Sequence, residues 1–257
     1  MNRLAEIIQW PPAPADLRLT NSEVHVWAAS LAVPIDVLKN LSRNLTSDET
    51  ERAAKFHFEL HRNRYIAGRG VLRRILSEYT SIHPAELVFT YSSTGKPALQ
   101  MAAALRTPDL HFNLAHSEDL AVFAITSAGP VGVDVEHIRQ LKDMDDLVAR
   151  FFSSRENERF QQLAADDKPA AFFNLWTRKE ALLKATGAGI AGGLNQVEVS
   201  FLHGEPARLL SIGGDPSKSN GWFLHNLEAA SGFAGAVAVQ GKCTAVRCWR
   251  ADPASVV

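Results

Sequence analysis

Residues 131–138 read VGVDVEHI. In an extended chain successive side chains leave on opposite faces, so Asp134 and Glu136 share one face while Val133 and Val135 turn toward a core. Two neighbouring carboxylates repel unless something positive lies between them, so the pair is either a solvated sheet face or part of a cation site. Just upstream, SAGP at 127–130 is a strong turn. It divides the sequence into two stretches of ordinary domain size, 1–128 and 129–257.

Both stretches carry the same succession of strand, helices and strands. Upstream, three prolines (Pro11, Pro12, Pro14) mark an extended arm leading to a strand over Glu23–Ala28, where Val24, Val26 and Ala28 alternate with polar neighbours. Ser47 is the expected N-cap of a first helix, with Asp48 and Glu49 in its opening turn. A longer helix is expected over Leu60–Tyr79, with Tyr65, Leu72, Ile75 and Leu76 as its apolar stripe. LVFTYSSTGKPAL then reads as strand and turn, and HFNLAH and DLAVFAIT as two strands. Downstream, helices are expected across Asp145–Thr186, closing at Gly187. Strands return at QVEVSFL, GWFLHNLEA, GFAGAVAVQ and AVRCWRA. Segregated blocks of this kind predict an α+β fold rather than a doubly wound sheet.

The composition narrows the function. The 257 residues hold 27 Lys+Arg and 28 Asp+Glu, a net charge of −1. Neither a nucleic-acid coat nor a polybasic membrane binder is expected from such a balance. Nor do ~20 apolar residues run uninterrupted, the length needed to span a bilayer. The start lacks a signal peptide's basic and apolar regions, so a soluble cytoplasmic protein is expected. Cys243 and Cys248, placed on one strand with opposite facing, are expected to be reduced thiols.

The neutral total conceals a polarity. Arg43–Arg74 carries eight basic residues against four acids, whereas Asp134–Asp167 carries nine acids against five bases. In FFNLWTRKEALLKATG, Glu180 and Lys184 stand one helical turn apart, either as a surface pair or as functional groups. Asp134, Glu136 and Glu180 together make an all-oxygen set suited to Mg²⁺.

FNLAH, GVDVE, FFSSRE and WTRKEALLKATGAGI, in this order from Phe112 to Ile190, resemble the signature segments of 4′-phosphopantetheinyl transferases of the Sfp type. STGKP and the basic stretch KFHF…RNRYIAGR add to the likeness. The resemblance implies two similar α+β halves in pseudo-twofold arrangement with the cofactor bound between them. It implies transfer of the phosphopantetheine arm of coenzyme A to a serine of an apo acyl or peptidyl carrier protein, releasing 3′,5′-ADP. Asp134, Glu136 and Glu180 would then be ligands of Mg²⁺, with Glu180 also the candidate base and Lys184 reaching a phosphate or the leaving group. Arg64, Lys96 and His116 would contact the cofactor's phosphate or adenine, with Arg52 and Arg69 as further contacts. Ala115 stands where the family often has serine. Arg62, Arg73 and Arg74 read as solvated helix residues, and Phe151, Phe152 and Leu163 as either a docking patch for the carrier or, for the two phenylalanines, core. Two halves in one chain imply a monomer. A Mg²⁺-dependent hydrolase of CoA-like pyrophosphates, and a non-catalytic module binding CoA or a carrier, are the alternative readings.

Overall fold

The computed structural model describes residues 10–100, 109–187 and 193–254. It is an α+β fold whose two halves repeat one plan. In the first half, strand β1 (Glu23–Ser30) is followed by helices α1 (Ile35–Ser42), α2 (Ser47–Ala54) and α3 (Glu59–Thr80). The hairpin β2 (Phe89–Tyr91) and β3 (Pro97–Leu99) comes next, then β4 (His111–Ser117) and β5 (Leu120–Thr126). The second half begins at β6 (Val131–His137) and continues through α4 (Met144–Phe151), α5 (Ser154–Gln161) and α6 (Lys168–Thr186). It ends with the hairpin β7 (Val197–Val199) and β8 (Leu209–Ile212), then β9 (Trp222–Asn226) and β10 (Phe233–Gln240). The strand order β1-β5-β4 of one sheet recurs as β6-β10-β9 in the other, antiparallel throughout. The last strand, β11 (Ala245–Arg250), crosses back and pairs in parallel with β1.

Alternation along the strands explains the layers. Val24, Val26, Val122 and Ala124 of the first sheet share a core with Val133, Val135, Val237 and Val239 of the second. The opposite faces receive the long helices: Val71, Leu72, Ile75 and Leu76 of α3 pack with Trp27, Phe123 and Ile125. On the other side Phe172, Leu175, Ala181 and Leu182 of α6 pack with Ala234, Ala236 and Ala238 of β10. Along the seam between halves, Val133 N donates to Asn113 Oδ1 at 2.9 Å, tying β6 to β4.

Several local expectations change. Helix α2 starts after Thr46 rather than Ser47, and Thr46 N donates to Glu49 Oε2 in a capping box. The long helix extends one residue beyond expectation at each end, to Glu59 and Thr80. Cys243 precedes β11 instead of lying on it, and both thiols are free. Phe152 is buried in the core around α6, and Phe151 and Leu163 pack against it, so they are not a free docking patch. Among the described residues the large exposed apolar side chains are Ile35, Phe58, Leu60, Val88 and Tyr91. No helix among the described residues is long and apolar enough to cross a membrane.

Candidate functional site

The two motif segments meet because of a glycine. Gly132 lies on the same face of β6 as Asp134 and Glu136, and α6 crosses directly over it. A Cβ at Gly132 would stand 2.0 Å from Ala181 O and 2.4 Å from Ala185 N, so only glycine admits the helix backbone at this depth. Glu180 and Lys184, the residues flanking that contact, are thereby delivered to Asp134. The acidic face of β6 is covered by a helix rather than solvated, and Asp134 is buried.

Lys184 Nζ donates to Asp134 Oδ1 at 2.6 Å. The other oxygen, Asp134 Oδ2, is buried with no hydrogen-bond partner, and so is Glu180 Oε1. Burial, opposed by Lys184 and reinforced by Glu136 and Glu180, pushes the Asp134 carboxyl up to about 7. Burial likewise raises Glu180, with Lys184 opposing and Glu136 adding to the shift. Glu136 is half-buried and accepts from Ser117 Oγ at 2.9 Å, while Ser117 Oγ accepts from His137 N at 3.1 Å.

Two groups of the first half, His116 and Arg64, lie near this site. His116, next to Ser117 on β4, is within electrostatic reach of Glu136 and Lys184. Loss of hydration there, together with Arg64, Lys184 and His61, holds its imidazole below the ordinary value against the pull of Glu136. Arg64, in the first turns of α3, is oriented by Asp119, whose Oδ1 accepts from its Nε at 2.8 Å. Asp119 belongs to the β4–β5 bend, so one turn places Ser117 beside Glu136 and Asp119 beside Arg64. Neither supporting contact is visible in the sequence, because each joins residues far apart in the chain.

The remaining expected site residues are engaged in other contacts. Lys96 Nζ donates to three main-chain carbonyls, Val131 O, Lys184 O and Ala185 O, at 3.0, 2.6 and 3.0 Å. Arg69 is buried, its Nε on Glu49 Oε1 and its Nη2 on Tyr91 OH, both at 2.5 Å, with Phe89 under the guanidinium. Arg52 is exposed and lies over the Tyr65 ring. Arg73, expected on a solvated face, is instead fully buried; it binds Glu49 and the carbonyls of Pro84 and Leu87. Glu49 draws both arginines inward because its carboxylate, itself buried, needs two donors. Arg62 and Arg74 are half-buried, and Arg74 Nη1 donates to Pro253 O.

A cavity of about 420 Å³ opens between the β2–β3 hairpin and the end of α6, lined among others by Tyr91, Lys96, Pro97, Phe112, Pro130 and Ala185. It adjoins the acidic group through Ala185, the neighbour of Lys184.

The donor chemistry fits a hard divalent cation: all carboxylate oxygen, with two buried oxygen atoms lacking partners. Among the described residues, however, no three His, Cys, Asp or Glu side chains are gathered at ligand spacing. Lys184 supplies the positive charge that holds Asp134 in the arrangement seen.

The sequence profile described as the 4′-phosphopantetheinyl transferase superfamily matches residues 130–238, and that described as 4′-phosphopantetheinyl transferase, N-terminal, matches 34–128. The 4′-phosphopantetheinyl transferase psf-1 of Bacillus pumilus is 34% identical over 62% of this chain and 64% of its own. Sfp of Bacillus subtilis, also a 4′-phosphopantetheinyl transferase, is 25% identical over 60% of this chain and 66% of its own. The 4′-phosphopantetheinyl transferase HetI of Nostoc sp. is 40% identical across 90% of this chain and 94% of its own. With identity of that order over nearly its whole length, the chain belongs to the 4′-phosphopantetheinyl transferase superfamily.

Proposed function

We propose that this chain moves the 4′-phosphopantetheine arm of coenzyme A onto a serine hydroxyl of an apo acyl or peptidyl carrier protein. The serine oxygen forms a bond to the β-phosphorus of the CoA pyrophosphate; the bond from that phosphorus to the bridging oxygen breaks, and 3′,5′-ADP leaves. The observation that supports this most directly is the convergence of Asp134, Glu180 and Lys184 where β6 meets α6, with His116 and Arg64 of the other half near them.

Asp134, Glu136 and Glu180 would hold Mg²⁺, and the unpartnered buried oxygens of Asp134 and Glu180 support that assignment. When bound, the ion neutralises charge on the pyrophosphate and on the oxygens that gain charge in the transition state. Glu180, whose carboxyl is raised by burial, is suited to accept the serine proton. The Lys184 side chain keeps partial exposure, so its ammonium can meet the departing phosphate. Arg64 supplies positive charge for the 3′-phosphate, the neutral imidazole of His116 can hydrogen-bond to it, and the cavity beside Lys96 and Pro97 offers a slot for the adenine. Asp119 holds Arg64 ready for that contact. Arg52, exposed beside Tyr65, is available to a phosphate, whereas Arg69 serves Glu49. The free thiols suit the cytoplasm, and the repeated half supports a monomer.

The test is direct. Apo carrier incubated with CoA and Mg²⁺ gains the mass of one phosphopantetheine arm, and Glu180→Ala abolishes the gain while leaving the circular-dichroism spectrum unchanged. No mass gain on any of several carrier types, or release of 3′,5′-ADP without a carrier, would overturn the assignment.

A further inference from the structure

Lys96 sits in the turn between β2 and β3, and its backbone there is fixed. Ser92 N donates to Lys96 O at 3.0 Å, Lys96 N donates to Ser92 Oγ at 3.0 Å, and Gly95, at φ +81°, closes the turn. From this base the side chain crosses into the other half of the molecule. Its ammonium has three N–H donors, and three carbonyls receive them: Val131 O at the start of β6 and Lys184 O and Ala185 O in the last turn of α6.

The location has a physical reason. The final carbonyls of a helix lack partners within it, and they form the negative end of its dipole. A cation there is favoured, and it does more at this position than cap a helix. One of the three carbonyls belongs to Lys184, whose side chain grips Asp134. Another belongs to Val131, next to Gly132, over which the helix crosses. The same ammonium therefore binds both elements that carry the acidic group, and binds them to a hairpin of the first half.

We propose that Lys96 is a positioning residue for phosphopantetheine transfer, setting Lys184 and Asp134 in register through its three carbonyl bonds, and is not a ligand of the CoA phosphates. This inference rests on the function proposed above. All three of its donors are engaged within the protein, so a phosphate could be bound only by breaking that socket. The tetrahedral ammonium matches three converging carbonyls; the planar guanidinium of arginine does not.

Three substitution and labelling results separate the two roles. As a positioning residue, Lys96→Met lowers kcat for transfer by about a hundredfold, the size expected for a misplaced reacting group, with KM for CoA within twofold of wild type. Lys96→Arg behaves like Lys96→Met, although arginine binds phosphate well. A raised KM for CoA with kcat retained, or full activity in Lys96→Arg, would overturn the inference. Labelling of the unaltered protein with acetic anhydride, read by peptide mass spectrometry, stands independently of either variant's folding. Lys96 should react far more slowly than exposed Lys39. Reaction of Lys96 at the rate of Lys39 would overturn it as well. Should the unaltered protein transfer nothing to any carrier, the functional proposal fails, while the labelling still decides whether the socket exists.

Discussion

Lys184 Nζ lies 2.6 Å from Asp134 Oδ1, linking the last turns of α6 to the middle of β6. The pair is unequal: the lysine side chain retains 30% of its exposure, the aspartate 6%. Lysine can thus exchange its partner for a phosphate and rehydrate, whereas the aspartate has no other cation in reach among the described residues. Lys184→Met should lower transfer by about two orders of magnitude, the scale of losing one electrostatic contact in a closed site. It should also raise the Asp134 carboxyl further, because its one opposing charge is gone. A pH profile of residual activity shifted to higher pH would show this; an unshifted profile would argue against the pairing.

Gly132 makes the second prediction. Any side chain there collides with backbone, not with a movable side chain, so α6 must lift away from β6. Gly132→Ala should cost at least about 3 kcal/mol in urea unfolding, at the upper end of overpacking penalties, and remove transfer activity even in the folded fraction. Gly187→Ala is the control. Among the described residues nothing lies within 4 Å of a Cβ there, and its φ of +73° resists the change, so about 1 kcal/mol is expected with activity retained. Equal effects at the two glycines would contradict the close approach at Gly132.

These two sites show how far the sequence could be read. The alternation in VGVDVEHI put Asp134 and Glu136 on one face, and the single-turn spacing of Glu180 and Lys184 put them on one side of a helix. Local periodicity contains both facts. What it does not contain is the crossing of helix over strand, which Gly132 permits and the alanines of β10 widen. Basic residues were the hardest to place. Arg64, Arg69 and Arg73 share one basic helix, yet Asp119 orients the first while Glu49 buries the other two. A charge count cannot distinguish them, because the deciding carboxylates come from distant elements. The repeat of strand order was equally faint, since two halves can share a topology while their sequences share little more than alternation.

The raised Asp134 carboxyl has a thermodynamic consequence. Unfolded, the group titrates near 3.8; folded, it titrates near 7. Between those values the folded protein keeps a proton that the unfolded chain has lost, so this group's contribution to stability falls as pH rises from about 4 to about 7. Asp134→Asn removes the titration and should therefore gain stability relative to wild type across that window, by several kcal/mol at neutral pH. Transfer should be lost at the same time. Mg²⁺ should narrow the difference by stabilising wild type and not the variant. Denaturant unfolding at pH 4, 5.5 and 7.5, with and without the ion, provides the measurement. A gap that stays constant with pH would exclude the shift.

Behind the site, α6 is anchored by a second charged pair that the motifs also contain. Lys179 Nζ lies 2.5 Å from Glu156 Oε2, with both side chains essentially inaccessible. Lys179 further donates to Leu194 O at 2.9 Å and to Val197 O, and Glu156 Oε1 accepts from Val199 N at 2.9 Å. The pair fastens α5, α6 and the approach to β7 together, one residue from Glu180. Removing one partner leaves the other charge buried and alone, so Lys179→Met should cost about 3–5 kcal/mol. Glu156→Gln should cost less, because the amide oxygen can still accept from the lysine, although the bond from Val199 N is then lost. The double variant should be more stable than the two losses added together, since neither charge is then stranded. Activity per folded molecule should survive in Glu156→Gln, which preserves the packing of α6 behind Glu180. A double-mutant cycle from urea unfolding checks the coupling, and strictly additive losses would show that the two groups do not depend on each other.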